Sequence, residues 1–147
     1  MSDNTNEIMA FEGGAGITAS SFTQGMFTTA DKTNEPGRKA IANALNNAGS
    51  LAEVGDRVLK VIDIVITPGV RKARQKGQSD TPCVNTYFIT TDGQAYMSQS
   101  DGIARSVQNL LTMYPNFGRS SDAGYLEIQI VSRILANGNE LKSVVVL

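Results

Sequence analysis

The alternation of apolar and polar positions changes period several times along the chain, and each change marks an element. Residues 38–48, RKAIANALNNA, set Ile41 and Leu45 one helical turn apart in a run of helix formers. Pro36 before this run and Gly49 after it suit a helix start and stop. From Arg57 the texture becomes that of a strand. RVLKVIDIVIT is dense in β-branched residues and apolar on both alternating faces, which predicts a central strand that stops at Pro68-Gly69. A polar stretch, PGVRKARQKGQSDTP, then reads as a long loop over residues 68–82. CVNTYFITT and QAYMSQ follow as two strands about Asp92-Gly93, the strongest short hairpin signal in the chain. Ser100-Asp101 suits a helix cap, and Ile103, Val107, Leu110, Leu111 and Tyr114 recur with helical spacing up to Pro115. In GYLEIQIVSRIL, Tyr125, Glu127 and Gln129 alternate with Leu126, Ile128 and Ile130, and after Asn137-Gly138 comes a last strand, LKSVVVL.

The predicted architecture is mainly β: three strands, a helix and two strands, preceded by a short helix. Five strands with a helix between the third and fourth is the layout of an OB-fold, a Greek-key barrel that binds oligonucleotides through strands 2–3 and the 1–2 and 4–5 loops. Other five-stranded α+β folds share this order. Residues 1–35 hold no sustained period and are interrupted by Gly13-Gly14-Ala15-Gly16, which lacks the Lys-Ser/Thr end and preceding strand of a phosphate loop and reads as linker. They form a mobile acidic arm, with Phe22, Met26 and Phe27 able to pin part of it as a short strand. Residues 36–147 form one domain, and a chain of 147 residues buries enough surface to fold without a disulfide or metal.

Composition removes several chemistries. With no histidine and one cysteine, the chain has no Ser-His-Asp or Cys-His catalysis, no His-ligated zinc and no intrachain disulfide. Cys83 reads as a small core thiol, and a single thiol fits a reducing compartment. No apolar run approaches the roughly 18 residues of a membrane helix, and Met1-Ser2-Asp3-Asn4 lacks the cationic start of a signal peptide, so no membrane association is expected. The formal net charge of −1 hides an asymmetry. Asp3, Glu7, Glu12, Asp31 and Glu35 oppose Lys32 alone in residues 1–35, whereas Arg57, Lys60, Arg71, Lys72, Arg74 and Lys76 oppose only Asp63 in residues 57–76. Local patches of this kind, rather than net charge, decide where a phosphate chain sits.

Candidate chemistry follows from that patch. Arg71, Lys72, Arg74 and Lys76 fall on the loop after the first long strand, where they can wrap a phosphate backbone; the bland alternative is a solvated loop whose charge aids solubility. A two-residue turn at Asp92-Gly93 pairs Thr91 with Gln94 and Ile89 with Tyr96. It sorts Asn85, Tyr87, Ile89, Tyr96 and Ser98 onto one face and Val84, Phe88, Ala95 and Met97 onto a core face. Tyr87 and Tyr96 then form an exposed stacking platform for bases. The alternative buries both under the N-terminal arm, and a bulge in the turn would exchange the faces. Arg57, Lys60, Arg105 and Arg119 are secondary backbone contacts. Asp92 and Asp101 are explained by a turn and a cap, so no metal or other cofactor is expected.

KAIANALNNAGSLAEVGDRVLKVIDIVI (residues 39–66), YFITTDGQAYMSQSDGIARSVQNLL (87–111), GYLEIQIVSRIL (124–135) and the closing strand occur in an order that resembles the single-stranded DNA-binding proteins encoded by tailed bacteriophages. The resemblance covers roughly residues 38 to 147 as a texture of several motifs. It implies an OB-fold that coats single strands, without catalysis, during phage DNA replication in the cytoplasm of the bacterial host, with phage or host replication proteins as partners and self-association possible. Many single-strand binding proteins end in an acidic tail that recruits partners. This chain ends in Ser143-Val144-Val145-Val146-Leu147, so recruitment through such a tail is not expected, and the acidic arm is a candidate substitute or a competitor for the cationic groove. A second reading from another class is a phage assembly or protein-interaction module with an OB-like barrel and an apolar contact surface around Phe22, Met26 and Phe27. A metal-dependent nuclease has little support, because the carboxylates do not cluster in sequence.

Overall fold

The computed structural model describes residues 25–147. In chain order these form β1 (Phe27–Thr28), α1 (Glu35–Asn47), β2 (Gly49–Ser50), β3 (Leu59–Arg71), β4 (Thr81–Thr90), β5 (Ala95–Ser98), α2 (Asp101–Met113), β6 (Leu126–Ile134) and β7 (Glu140–Val146), with 3-10 turns at Leu51–Val54 and Phe117–Ser120. Most of the N-terminal arm expected over residues 1–35, including Phe22 and the glycine cluster, lies outside the described residues. Phe27 and Thr28 do pair with Ile66 and Val65 of β3 as a two-residue strand.

The protein is mainly β, a curled open sheet that makes a half-barrel with two helices. The strand order is β2-β5-β4-β3-β6-β7, with β1 attached to β3. This differs from the expected five-stranded OB-fold-like barrel in two ways. Two short strands are added, and among the described residues the path from β2 to β7 does not close on itself. Helix α2 covers the outer edge of β7 instead of a strand. The Val144 amide donates to Ser106 Oγ at 3.1 Å, and Gly102 lies so close that a Cβ there would stand 2.2 Å from the Lys142 carbonyl oxygen. An edge covered by a helix offers no template for another strand.

Both faces of β3 are apolar because each is covered. Val61, Ile64 and Ile66 join Val84 and Phe88 of β4 against Ile103, Val107 and Leu111 of α2. Phe117 meets Phe88 edge-on at 6.4 Å between ring centroids. On the other face Val65, Tyr87 and Ile89 pack under Ala30 and under Ile41 and Ala44 of α1. Helix α1 begins at Glu35, three residues before the expected Arg38. Asn34 caps it by accepting the Gly37 amide at 2.8 Å, and Pro36 is tolerated in the first turn because its missing N–H has no partner there anyway.

Pro68-Gly69 does not end β3, which continues in register with β4 to Arg71 opposite Thr81. The Ile64 carbonyl accepts the Thr29 amide and the Ile64 amide donates to Thr29 Oγ1, both at 3.1 Å, so Ile64 presents its backbone to the β1 side. By alternation Pro68 faces the same way, beyond β1, where no ladder needs its N–H.

Asp92-Gly93 is not the two-residue turn that the sequence predicts. The Thr90 amide donates to the Gln94 carbonyl (2.8 Å) and the Gly93 amide to the Thr90 carbonyl (3.1 Å), with Gly93 at φ +85°. Leu135, Gly138 and Asn139 repeat the pattern, with Gly138 at φ +87°. Each is a three-residue loop closed by a glycine bulge. The consequence is a one-residue shift: Phe88, not Ile89, stands opposite Tyr96.

Among the described residues, one buried side-chain polar atom lacks a partner. Thr86 is fully buried and its hydroxyl has no hydrogen-bond partner. Replacing that hydroxyl by a methyl removes a desolvated polar atom at nearly constant shape. Thr86→Val is therefore expected to raise stability by about 1 kcal/mol, read as a higher urea midpoint with an unchanged slope.

Candidate nucleic-acid interface

The β3–β4 ribbon carries the cationic loop, residues 72–80, and a side-chain network braces its base. Arg71 Nη2 donates to the Gln99 carbonyl at 2.6 Å and to Asp101 Oδ1 at 3.2 Å. Gln99 Nε2 donates in turn to Asn85 Oδ1 at 2.9 Å. Arg71 thus ties the ribbon to the end of β5 and the start of α2. Farther out, Asp80 accepts the Ala73 amide at 2.8 Å and pairs with Lys72 at 3.4 Å. Arg74 and Lys76 are exposed and have no anionic partner among the described residues. The loop folds about a groove of about 300 Å³ lined by Arg71, Lys72 and Arg74 together with Gln75 and Gln78. Arg105 is exposed on α2 one helical turn beyond Asp101, the residue that pairs with Arg71.

Arg57 and Lys60 are not part of this group. They sit at the opposite end of β3, a thirteen-residue strand on the order of 40 Å from end to end. There they line a cleft of about 230 Å³ with Tyr96 and Asp92, and the Lys60 ammonium lies 5.4 Å from the centre of the Tyr125 ring. Asp92 accepts hydrogen bonds from the Thr90 hydroxyl and the Gln94 amide, which hold its carboxyl below the usual range. The run of cations that looks like one patch in the sequence is therefore two groups.

The shared tyrosine face is overturned by the hairpin register. Tyr96 faces the interior beside Phe88, while Tyr87 stands opposite Met97 on the other face of the sheet. Tyr87 is 8% exposed, its ring packed with Ile41 and Ala44 of α1, so it offers no surface for stacking. Tyr96 is half-buried and borders the Arg57–Lys60 cleft rather than the cationic loop. Arg119 also changes role. Its Nε and Nη2 donate to the two oxygens of Asp63 at 2.8 and 2.9 Å, so a buried carboxylate neutralises its charge. Those hydrogen bonds hold the guanidinium above its ordinary pKa. The apolar contact surface expected around Met26 and Phe27 is likewise not free, since both pack against the domain core.

Residue-by-residue reading missed Asp63, Asn85, Gln99 and Asp80. Only Asp63 left a signal, as a lone carboxylate in an apolar strand. It also missed a cleft of about 730 Å³, which opens between the end of β5 and the β6–β7 hairpin. None of the ten candidate residues lines it. Among the described residues no group of three or more His, Cys, Asp or Glu side chains could hold a metal, and no helix is long and apolar enough to cross a membrane. Comparison of the chain with protein-family models, with curated proteins and with solved structures finds no match.

Proposed function

We propose that the protein is a non-catalytic, sequence-tolerant single-stranded DNA-binding protein with an open OB-fold. The observation that carries this reading is the braced cationic loop: Arg74 and Lys76 have no anionic partner among the described residues and stand on a ribbon fixed by Arg71, Gln99 and Asp101. The long strands are ordered β5-β4-β3-β6-β7, which counts as third, second, first, fourth and fifth and matches an OB barrel left unclosed. Lys72, Arg74 and Lys76 hold phosphates, with Arg105 beyond them; Arg57 and Lys60 make a second contact zone with Tyr96. The resemblance of the sequence to phage-encoded single-strand binding proteins supports a role in coating strands during phage DNA replication, in the host cytoplasm and alongside replication proteins.

Fluorescence anisotropy with labelled oligo-dT and a duplex of equal length, titrated at several salt concentrations, tests the reading. Salt-dependent binding that favours the single strand is expected; equal weak binding to both, or none at low salt, overturns it. A protein-interaction module is the second reading. It is favoured by the partly exposed Val131 and Val145, diagonal neighbours on the outer face of β6 and β7. Within the first reading, Tyr96→Ala is expected to weaken oligo-dT binding roughly fivefold, the low end of base–aromatic stacking, because only part of the ring is accessible.

A further inference from the structure

The cleft between β5 and the β6–β7 hairpin adjoins the cationic loop without being cationic. Its wall includes Ser98 and Gln99 at the end of β5 and Gln129 and Ser132 on β6. Asp56 and Glu140 add two carboxylates, and Lys142 is the one cation on the wall. Gln99 belongs to this cleft and its carbonyl receives Arg71, which lines the loop groove, so the two cavities meet at one hydrogen bond. A volume of about 730 Å³ is within the range of small-molecule sites. The charge balance disfavours phosphates, while amides, hydroxyls and carboxylates are the groups that read base edges.

We propose that this cleft takes the unstacked bases of a strand whose phosphates lie on the cationic loop, and that Asp56 and Glu140 make it prefer bases bearing an exocyclic amino group. The inference rests on the single-strand reading above. A carboxylate only accepts hydrogen bonds, so it pairs with the N4 amino group of cytosine or the N6 amino group of adenine. Thymine offers an O4 acceptor at that edge and repels it. Asp56 and Glu140 are both exposed, so neither must be buried for the fold to form.

The test compares oligo-dC with oligo-dT of equal length by anisotropy at neutral pH, for the full chain and for Asp56→Ala/Glu140→Ala. The unaltered protein is expected to bind oligo-dC about fivefold more tightly, the low end of what one good base-edge contact supplies. The double variant is expected to bind oligo-dT more tightly than before, because repulsion is removed, and to bring the ratio close to one. Arg74→Ala should weaken both oligonucleotides alike and leave the ratio unchanged. A preference for oligo-dT, or a ratio that the double variant does not move, overturns the base-edge inference while single-strand binding stands. Failure of both oligonucleotides to bind overturns the single-strand reading itself, and the inference with it.

Discussion

Arg119→Ala is expected to destabilise the fold by about 2–3 kcal/mol, less than the loss of a fully buried pair because the Arg119 side chain is 49% exposed and water reaches its place. Asp63 is 2% exposed and is held by three hydrogen bonds, two from Arg119 and one from the Thr29 hydroxyl at 2.8 Å. Removing the guanidinium leaves the carboxylate with the hydroxyl alone. The site cannot readily collapse around the loss. The β3 register shifts between Val61 and Asp63, and Gly118, next to Arg119, packs so tightly that a Cβ would stand 2.4 Å from the Val61 carbonyl oxygen. Arg119→Lys should recover little, because an ammonium cannot span both oxygens as the guanidinium fork does. Urea unfolding at neutral pH reads the effect. A loss below about 1 kcal/mol would mean that the pair behaves as an ordinary surface salt bridge.

That pair illustrates what was not legible in the sequence. Arg119 and Asp63 are 56 positions apart, and nothing local distinguishes Arg119 from a surface cation. Other features were legible because their causes are local. Ser100 caps α2 by accepting the Ile103 amide at 3.3 Å, where the Ser-Asp pair predicts it. Leu126 and Ile128 are buried and Glu127 is exposed, as the alternation requires. The apolar character of both faces of β3 correctly predicted a central strand, although the cover on its second face is α1.

The site was read less well, and one cause accounts for much of it. Asp92-Gly93 marks the turn but does not say whether two or three residues form it. A type I turn with the glycine in the left-handed region inserts one more residue than a two-residue turn. Because side chains alternate with period two, that single residue moves Tyr87 and Tyr96 to opposite faces. Charge was misread for a related reason. Arg57 to Lys76 is a short interval in sequence, but an extended strand separates its ends more than any other element would. Pro68 failed as a stop signal because its nitrogen faces an unpaired edge, a tertiary circumstance that the local sequence does not encode.

The loop itself survives these corrections, and Arg74→Ala/Lys76→Ala measures how much it matters. Each phosphate contact on a single strand contributes roughly 0.7 to the slope of log K against log salt, so losing two should lower the slope by about 1.4. At 0.1 M monovalent salt that difference corresponds to roughly 25-fold weaker binding of oligo-dT, and the gap should widen as salt falls. Stability should be unchanged, because neither side chain has a partner among the described residues and both are exposed. Arg71 is the wrong residue for this measurement: Arg71→Ala would also release Gln99 and Asp101 and loosen the ribbon. Lys32→Ala/Lys39→Ala is the matched control, since it removes the same charge from exposed positions in and just before α1. If the control weakens binding as much as the loop variant, the attraction is the field of the whole protein rather than a contact. If the loop variant alone loses affinity and slope together, the phosphates lie on residues 72–76.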